Sequence, residues 1–362
     1  MEVFKFKLEN RALLEQFISL TDEYFNDERH IKRFKESSYE SLSETNQFFK
    51  NSKYSFFLIK DGDKPIARAM AFIDSRRAQE NGTIVGNFGH FECCDNQATA
   101  NKLLNASCDW LKKNGATHIH GPMDFNIYNN YRLMTEGFET SPFVGEPRNP
   151  RYYERLIKNE KFREDSYWRS WEINPSEVEK FNGFLGTIIS KRKNTHEITM
   201  HPVDVDKVDE ALDELYETAL EIFKQNYGYA EVSKDEFVQI FAKIKAFLLP
   251  GSFQIAKDST GKICGFVYGY VDMYKGFLQA DGDLSKIQEC LNYQTDRYIY
   301  HTFGVIKEMR FTDITARMSH AQTSTFKDIF PNSIAALTTS NKSIIDRIKN
   351  PNRRYVMYSK TL

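Results

Sequence analysis

The feature that most constrains this chain is a pair of apolar, strand-like runs held apart by one long amphipathic stretch. GNFGHFECCDNQ begins at Gly86, ATANKLLNASCDWLKKNG ends on Gly115, and THIHGPMDF follows from Thr117. Apolar residues recur at helical spacing in the middle segment, and Gly115 supplies a helix stop. Strands joined by so long a connection cannot form a hairpin, so the pattern predicts a parallel pair with a crossover. In such a sheet a ligand sits beyond the carboxyl ends of the strands, where they part. Those ends are Glu92 to Asp95 and Gly121 to Asp124, and the chemistry of this half is expected beside them.

The same order of elements appears twice. In the first half, helical segments over 11–50 precede YSFFLIK and KPIARAMAFID, which flank Asp61-Gly62-Asp63, a hairpin signal. The parallel pair, a long polar loop, the helix-like NPRYYERLIKNEKF and the strand DSYWRSWEI follow. In the second half, HEITMHPV, two helices, a hairpin around Ser259-Thr260-Gly261, the strand YIYHTFGVI, a helix, SIAALTTS, a short helix and RRYVMYSKTL repeat that order. We read two mixed α/β modules in tandem, 1–172 and 195–362, with a helical connector at 173–194. Each module is expected to hold a sheet whose fourth and fifth strands splay.

Charge and cysteine usage exclude several classes. With 49 basic and 50 acidic residues the net charge is −1, which offers no global field for nucleic acid. Five cysteines without metal-site spacing indicate a reduced, cytoplasmic setting. No apolar run reaches membrane-spanning length, so a soluble protein is expected. No Gly-rich nucleotide loop, HExxH helix, CxxC pair or G-x-S-x-G elbow occurs, and His118 and His120 lack a third ligand, so no metal is expected. The 29 Phe and 19 Tyr suit large cores or an apolar ligand groove equally.

GNFGHFECCDNQ, the Gly121-Pro122 strand end with its Asn-containing loop, TEGFETSPF, NPRYYERL, NYGYAEVSKDEF and GSFQIAKDSTGKICGFVYG together carry a family likeness. Each half resembles the GCN5-related N-acetyltransferase (GNAT) fold, and the whole is similar to the bacterial two-module proteins of that superfamily. The resemblance implies two acyl-CoA N-acyltransferase-like modules, an acyl-CoA or carrier-protein thioester as donor, and an amine as acceptor. It implies no permanently bound cofactor, with acyl-CoA as cosubstrate, and leaves open a long-chain or lipid-pathway substrate. Two other readings stay open: a binding or scaffold protein of the same fold without catalysis, and transfer from an aminoacyl-tRNA. Oligomeric state is not legible.

The superfamily holds its donor's pyrophosphate on a Gln/Arg-x-x-Gly-x-Gly/Ala loop that opens a helix. Glycines let backbone N–H groups approach phosphate, and the helix start adds favourable potential. The first half has CCDNQATANK there, with Asp95 and no glycine. The second has GVIKEMRFTDITARM, in which Arg310 fits the first position, Asp313 and Thr315 replace both glycines, and Ile314 lies between. Lys307 and Arg310 offset Asp313, so the donor is expected in the second half.

Amine acylation needs a base for the amine proton. By strand alternation Phe88, His90 and Glu92 share one face, which makes His90 and Glu92 the base candidates of the first half. In the second half Glu308 follows the strand, and Asn341 resembles the superfamily's Asn-led last helix, with Ile348 where a tyrosine acid is usual. The first half instead offers Tyr152 and Tyr153 after Asn149. Asp124, Asn126 and Asn129 form a polar loop suited to binding an acceptor, with Tyr152 beside them.

Overall fold

Two glycine-bearing turns fix the hairpins from which the sheet grows. The computed structural model describes residues 1–77, 82–191, 197–310, 312–339 and 343–362. Its strands are β1 (Glu2–Phe6), β2 (Ser52–Asp61), β3 (Lys64–Asp74), β4 (Val85–Cys93), β5 (His118–Gly121), β6 (Leu133–Glu136) and β7 (Arg163–Ile173). The second half adds β8 (Ile198–Pro202), β9 (Phe253–Asp258), β10 (Ile263–Val271), β11 (Arg297–Val305), β12 (Asn332–Thr338) and β13 (Arg353–Thr361). Asp61 pairs with Lys64 across a turn in which Gly62 takes φ 59°, a conformation glycine adopts without strain. At the second hairpin the Asp258 carboxylate accepts from the backbone N–H of Thr260 at 2.9 Å and of Lys262 at 3.1 Å, holding the turn while Gly261 takes φ 85°.

The architecture is mixed α/β, in the order β1-β2-β3-β4-β5-β13-β7-β12-β11-β10-β9-β8, with β6 pairing β13 off that path. Two parallel pairs, β4 with β5 and β11 with β12, interrupt otherwise antiparallel neighbours. The helix Gln97–Lys113 makes the first crossover; Asn96 caps it by accepting from the Thr99 N–H at 3.0 Å. The helix Ile314–Phe326 makes the second. The connector is the helix Pro175–Lys191.

Alternation along β2 divides the first half into two cores. Phe57 and Ile59 pack beneath the helix Gln97–Lys113, whereas Phe56 and Leu58 pack against the helix Arg11–Ser19 through Phe17. All nine residues of β10 are buried, as expected for an inner strand covered on both faces. The element order alone did not reveal β1 or β6, nor where the last strand pairs. β13 lies between β5 and β7, pairing Tyr358 with Gly121 on one side and Tyr355 with Trp168 on the other. β7 in turn pairs with β12, so one sheet runs through both halves.

Tyr355, Val356, Met357 and Tyr358 of β13 are each 0% exposed. Burying a large apolar side chain contributes roughly 1.5–3 kcal/mol, so four of them rival the 5–15 kcal/mol of a typical whole domain. A chain lacking β13 is expected to lose its cooperative thermal transition by circular dichroism and to elute as aggregate on size exclusion. A native-like melt of that truncation contradicts the pairing.

Candidate functional site

Both parallel pairs part after a short paired stretch, and the space between them is shared. β4 and β5 pair from Val85↔His118 to Asn87↔His120, and β11 and β12 from Arg297↔Asn332 to Tyr300↔Ala335. A cavity of about 1220 Å3 is lined by the residues just past both pairings: His90 and Glu92 with Pro122 and Asp124, and His301 and Phe303 with Ala336 and Thr338. Crevices where parallel strands separate are the ligand sites of such sheets.

On the β4 side the chain bulges. Arg68 pairs with Glu92 but Met70 with Gly89, so Ala69 stands opposite both His90 and Phe91. His90 adopts φ 47°, and a Cβ on Gly89 would fall 1.8 Å from the Met123 carbonyl oxygen. The bulge overturns one expectation from alternation. Phe88 shares its face with Phe91 beneath the helix Gln97–Lys113, while His90 contacts Phe17 and Phe125 in the opposite core, with ring centroids 6.3 and 4.9 Å away.

His90 faces Asp124. Its backbone N–H donates to Asp124 Oδ1 at 2.5 Å, and its Nδ1 lies 3.9 Å from Asp124 Oδ2. Nε2 is buried and has no hydrogen-bond partner. Burial pushes the imidazole pKa down to about 4, the Asp124 carboxylate opposes the shift, and the Arg68 and Arg33 guanidinium groups add to it. The ring is therefore neutral at pH 7 with a vacant lone pair or N–H at the cavity wall.

Glu92 is held differently. The Tyr153 hydroxyl donates to its Oε2 at 2.9 Å, Arg68 Nη2 approaches Oε1 at 3.4 Å, and Arg33 Nη2 makes a close contact with Oε1. Arg33 also bonds Asp22, whose Oδ1 sits 3.1 Å from His30 Nε2. Burial of Asp22 opposes its ionisation, but Arg33 and His30 prevail and hold the carboxyl well below its usual range. Glu92 is thus a buried, ion-paired carboxylate, whereas His90 Nε2 has no partner. Sequence reading did not single out Asp22, His30, Arg33 or Arg68, because their partners lie far away in the chain.

The remaining expected residues scatter. Asn129 lines the cavity; Asn126 is buried and spends Oδ1 on the Tyr128 N–H at 3.0 Å and the Asn129 amide at 2.8 Å. Tyr152 donates to the Cys93 carbonyl at 2.8 Å, and Asn149 brackets Met134 through both backbone groups. Asp95 is ion-paired with Arg155 at the surface. Lys307 and Glu308 are exposed on a single 3-10 turn, outside the cavity wall. Arg310 Nη1 donates to Gln225 Oε1 at 2.5 Å, and Gln225 lines the cavity. Asp313 precedes the helix Ile314–Phe326 and pairs with Arg317 at 2.7 Å; Ile314 is fully buried and Thr315 half-buried. Asn341 lies outside the described residues.

The whole chain matches solved structures. A tandem GNAT protein from the clavulanic acid biosynthesis pathway superposes with a TM-score of 0.54 at 7% identity, covering 99% of this chain and 98% of that one. This chain has the tandem GNAT fold. Among curated proteins it is 25% identical over 205 residues to the bacterial ceramide synthase of Caulobacter vibrioides, covering 56% of this chain and 52% of that protein. It is 22% identical over 245 residues to protein YghO of Escherichia coli, covering 68% and 62%. The matches thus span about half to three fifths of these relatives' lengths. No family model matches. Among the described residues no helix is long and apolar enough to cross a membrane.

Three largely buried histidines with lowered pKa values predict that this chain loses stability in acid. Burial lowers His90, His120 and His301 from 6.5 to about 4. A group that takes its proton more readily when unfolded contributes full stability above pH 6.5, lost as pH falls towards 4. Each steepens the loss by at most about 1.4 kcal/mol per pH unit. His90→Gln is expected to flatten the stability profile between pH 6.5 and 4 in urea titrations; an unchanged slope contradicts a neutral, buried His90.

Proposed function

We propose that this protein is an N-acyltransferase that moves an acyl group from a thioester to an amine inside the cavity between its halves. The observation that carries the reading is His90, held on the wall where β4 leaves β5, with Nε2 unpartnered and Nδ1 near Asp124. The tandem GNAT fold and the curated ceramide synthase relative support it at the level of reaction type.

In this reading the amine nitrogen attacks the thioester carbonyl and gives its proton to His90 Nε2. The tetrahedral centre collapses, the C–N bond stays, the C–S bond breaks, and the thiolate leaves. An imidazolium with so low a pKa readily passes its proton to the thiolate, which restores the neutral ring. Glu92 keeps Arg33 and Arg68 fixed beside the reacting centre; fully engaged, it is a poor base. In the same reading Asn129 and the outer edge of Asp124, both on the cavity wall, bind the acceptor. The donor is assigned to the second half, with Lys307 and Arg310 nearest its phosphates and Gln225 joining Arg310 to the cavity.

Acyl-CoA is the expected donor, and a long chain the expected cargo. Phe25, Phe34, Phe143, Phe223, Phe241 and Phe277 all line the cavity, whose volume of about 1220 Å3 exceeds the roughly 300–1,000 Å3 of ordinary small-ligand pockets.

The test is thiol release from acyl-CoAs of several chain lengths with a panel of amines. His90→Ala is expected to lower turnover by roughly 10²–10⁴-fold with donor affinity nearly unchanged. A comparable loss from Glu308→Gln, with His90→Ala inert, moves the base to the second half. No release with any pair, and no CoA affinity, favours a binding protein that kept the fold.

A further inference from the structure

The cavity has a second charged feature, away from His90. Arg132 follows the polar loop and lines the cavity wall. It is 7% exposed, and its Nε and Nη1 have no hydrogen-bond partner. Its guanidinium lies 3.7 Å from the centroid of the Tyr131 ring and 4.4 Å from that of Trp168. Such stacking holds a cation in place; Tyr131 also hydrogen-bonds the guanidinium, and Nε and Nη1 are left to bond in the ring plane. Among the described residues no carboxylate forms an ion pair with it.

Each carboxylate on the same wall is committed elsewhere. Asp22 and Glu92 hold Arg33, Asp124 accepts from the His90 N–H, Glu146 binds Arg148 and the Tyr355 hydroxyl, and Asp165 accepts from Ser359. Burying a cation without a counter-charge is unfavourable. Arg132 also sits at φ 77°, in the left-handed region that favours glycine. Two separate penalties at one residue are consistent with a role outside folding.

We propose that Arg132 is the anchor for an anionic group, carboxylate or phosphate, on a ligand of the cavity between the halves. The proposal rests on the cavity being the substrate site, as in the acyltransferase reading. Two sources carry that chemistry: the phosphate of a phosphopantetheine donor, or an acid group on the acceptor amine, which would make the acceptor zwitterionic. The neighbourhood suits either. The His301 ring, with centroids 5.5 Å from both Tyr268 and Tyr270, is kept neutral by burial and by Arg132 itself, so Arg132 is the charged group of the two.

Calorimetric titration of two matched probe pairs separates the sources: 4′-phosphopantetheine against pantetheine, and 2-aminooctanoate against octylamine. The anionic member of one pair is expected to bind roughly 10–100-fold tighter, the range of a charge-assisted bond. The pair identifies whether donor or acceptor carries the anion. Arg132→Met should abolish that preference while melting at or above the unaltered protein, since it removes an uncompensated charge. Arg132→Lys, which keeps charge but loses the planar fork, should retain part of it and keeps the test decisive if the Met variant fails to fold. Lack of preference within both pairs, or a preference that survives Arg132→Met, overturns the anchor. Thiol release is scored separately: an Arg132-dependent preference without turnover overturns the acyltransferase reading and leaves the anchor standing.

Discussion

The insertion of β13 between β5 and β7 is the constraint on which the rest depends. A strand from the end of the chain completes the first half's sheet, and β7 carries that sheet on into β12. The two parallel pairs therefore belong to one hydrogen-bonded surface rather than to two bodies on a linker. Their splayed ends are fixed relative to each other, and the cavity inherits its walls from both. A site divided between flexibly linked domains would need closure to bring its groups together. Here the ladder supplies that registration before any ligand arrives.

Within this frame, charge is distributed unevenly. At the β4 end, Asp22, Glu92, Arg33 and Arg68 neutralise one another in a buried network, and Tyr153 completes it. Ion-paired networks of this sort rigidify, because each member loses a partner if another moves, even though Arg68 Nε itself is unbonded. The network sets the position of the bulge from which His90 projects, since Arg68 pairs with Glu92 one step past it. At the Arg132 end, among the described residues, no carboxylate balances the charge. One end of the cavity is built for position and the other for affinity.

The parallel pairs, both hairpins and the chain segments bearing His90, Glu92 and Asp124 were legible in the sequence. They rest on local signals: helical periodicity before Gly115, turn chemistry at Gly62 and Gly261, and strand ends bearing polar residues. The partner of the last strand was not legible, because RRYVMYSKTL pairs equally well in pattern with either half. The face of Phe88 was misread for a related reason: one extra residue opposite Ala69 reverses the alternation, and nothing in GNFGHFEC marks where the bulge falls. Arg33 and Arg68 gained meaning only through Asp22 and Glu92, contacts that local sequence cannot show. Arg132 was invisible for the opposite reason, since its signal is the carboxylate partner that no described residue supplies.

The loop before the helix Ile314–Phe326 carries side chains where the family it resembles has the glycines of a phosphate loop. Asp313 is 3% exposed and turned onto Arg317, so its charge is neutralised within the first turn of the helix rather than pointed at an incoming phosphate. Ile314 points into the core, and the Thr312 hydroxyl accepts from the Ile314 N–H at 3.3 Å. Part of the potential that a bare helix start offers an anion is thereby used by the protein's own side chain. Under the proposed acyltransferase reading, donor affinity at this loop comes more from the Lys307 and Arg310 side chains than from backbone N–H groups. Side-chain cations bind phosphate with less directional demand than a cradle of glycine amides. In that reading the donor is positioned chiefly by its acyl chain among the cavity's aromatic rings, and discrimination among acyl groups is assigned to the apolar wall rather than to the loop.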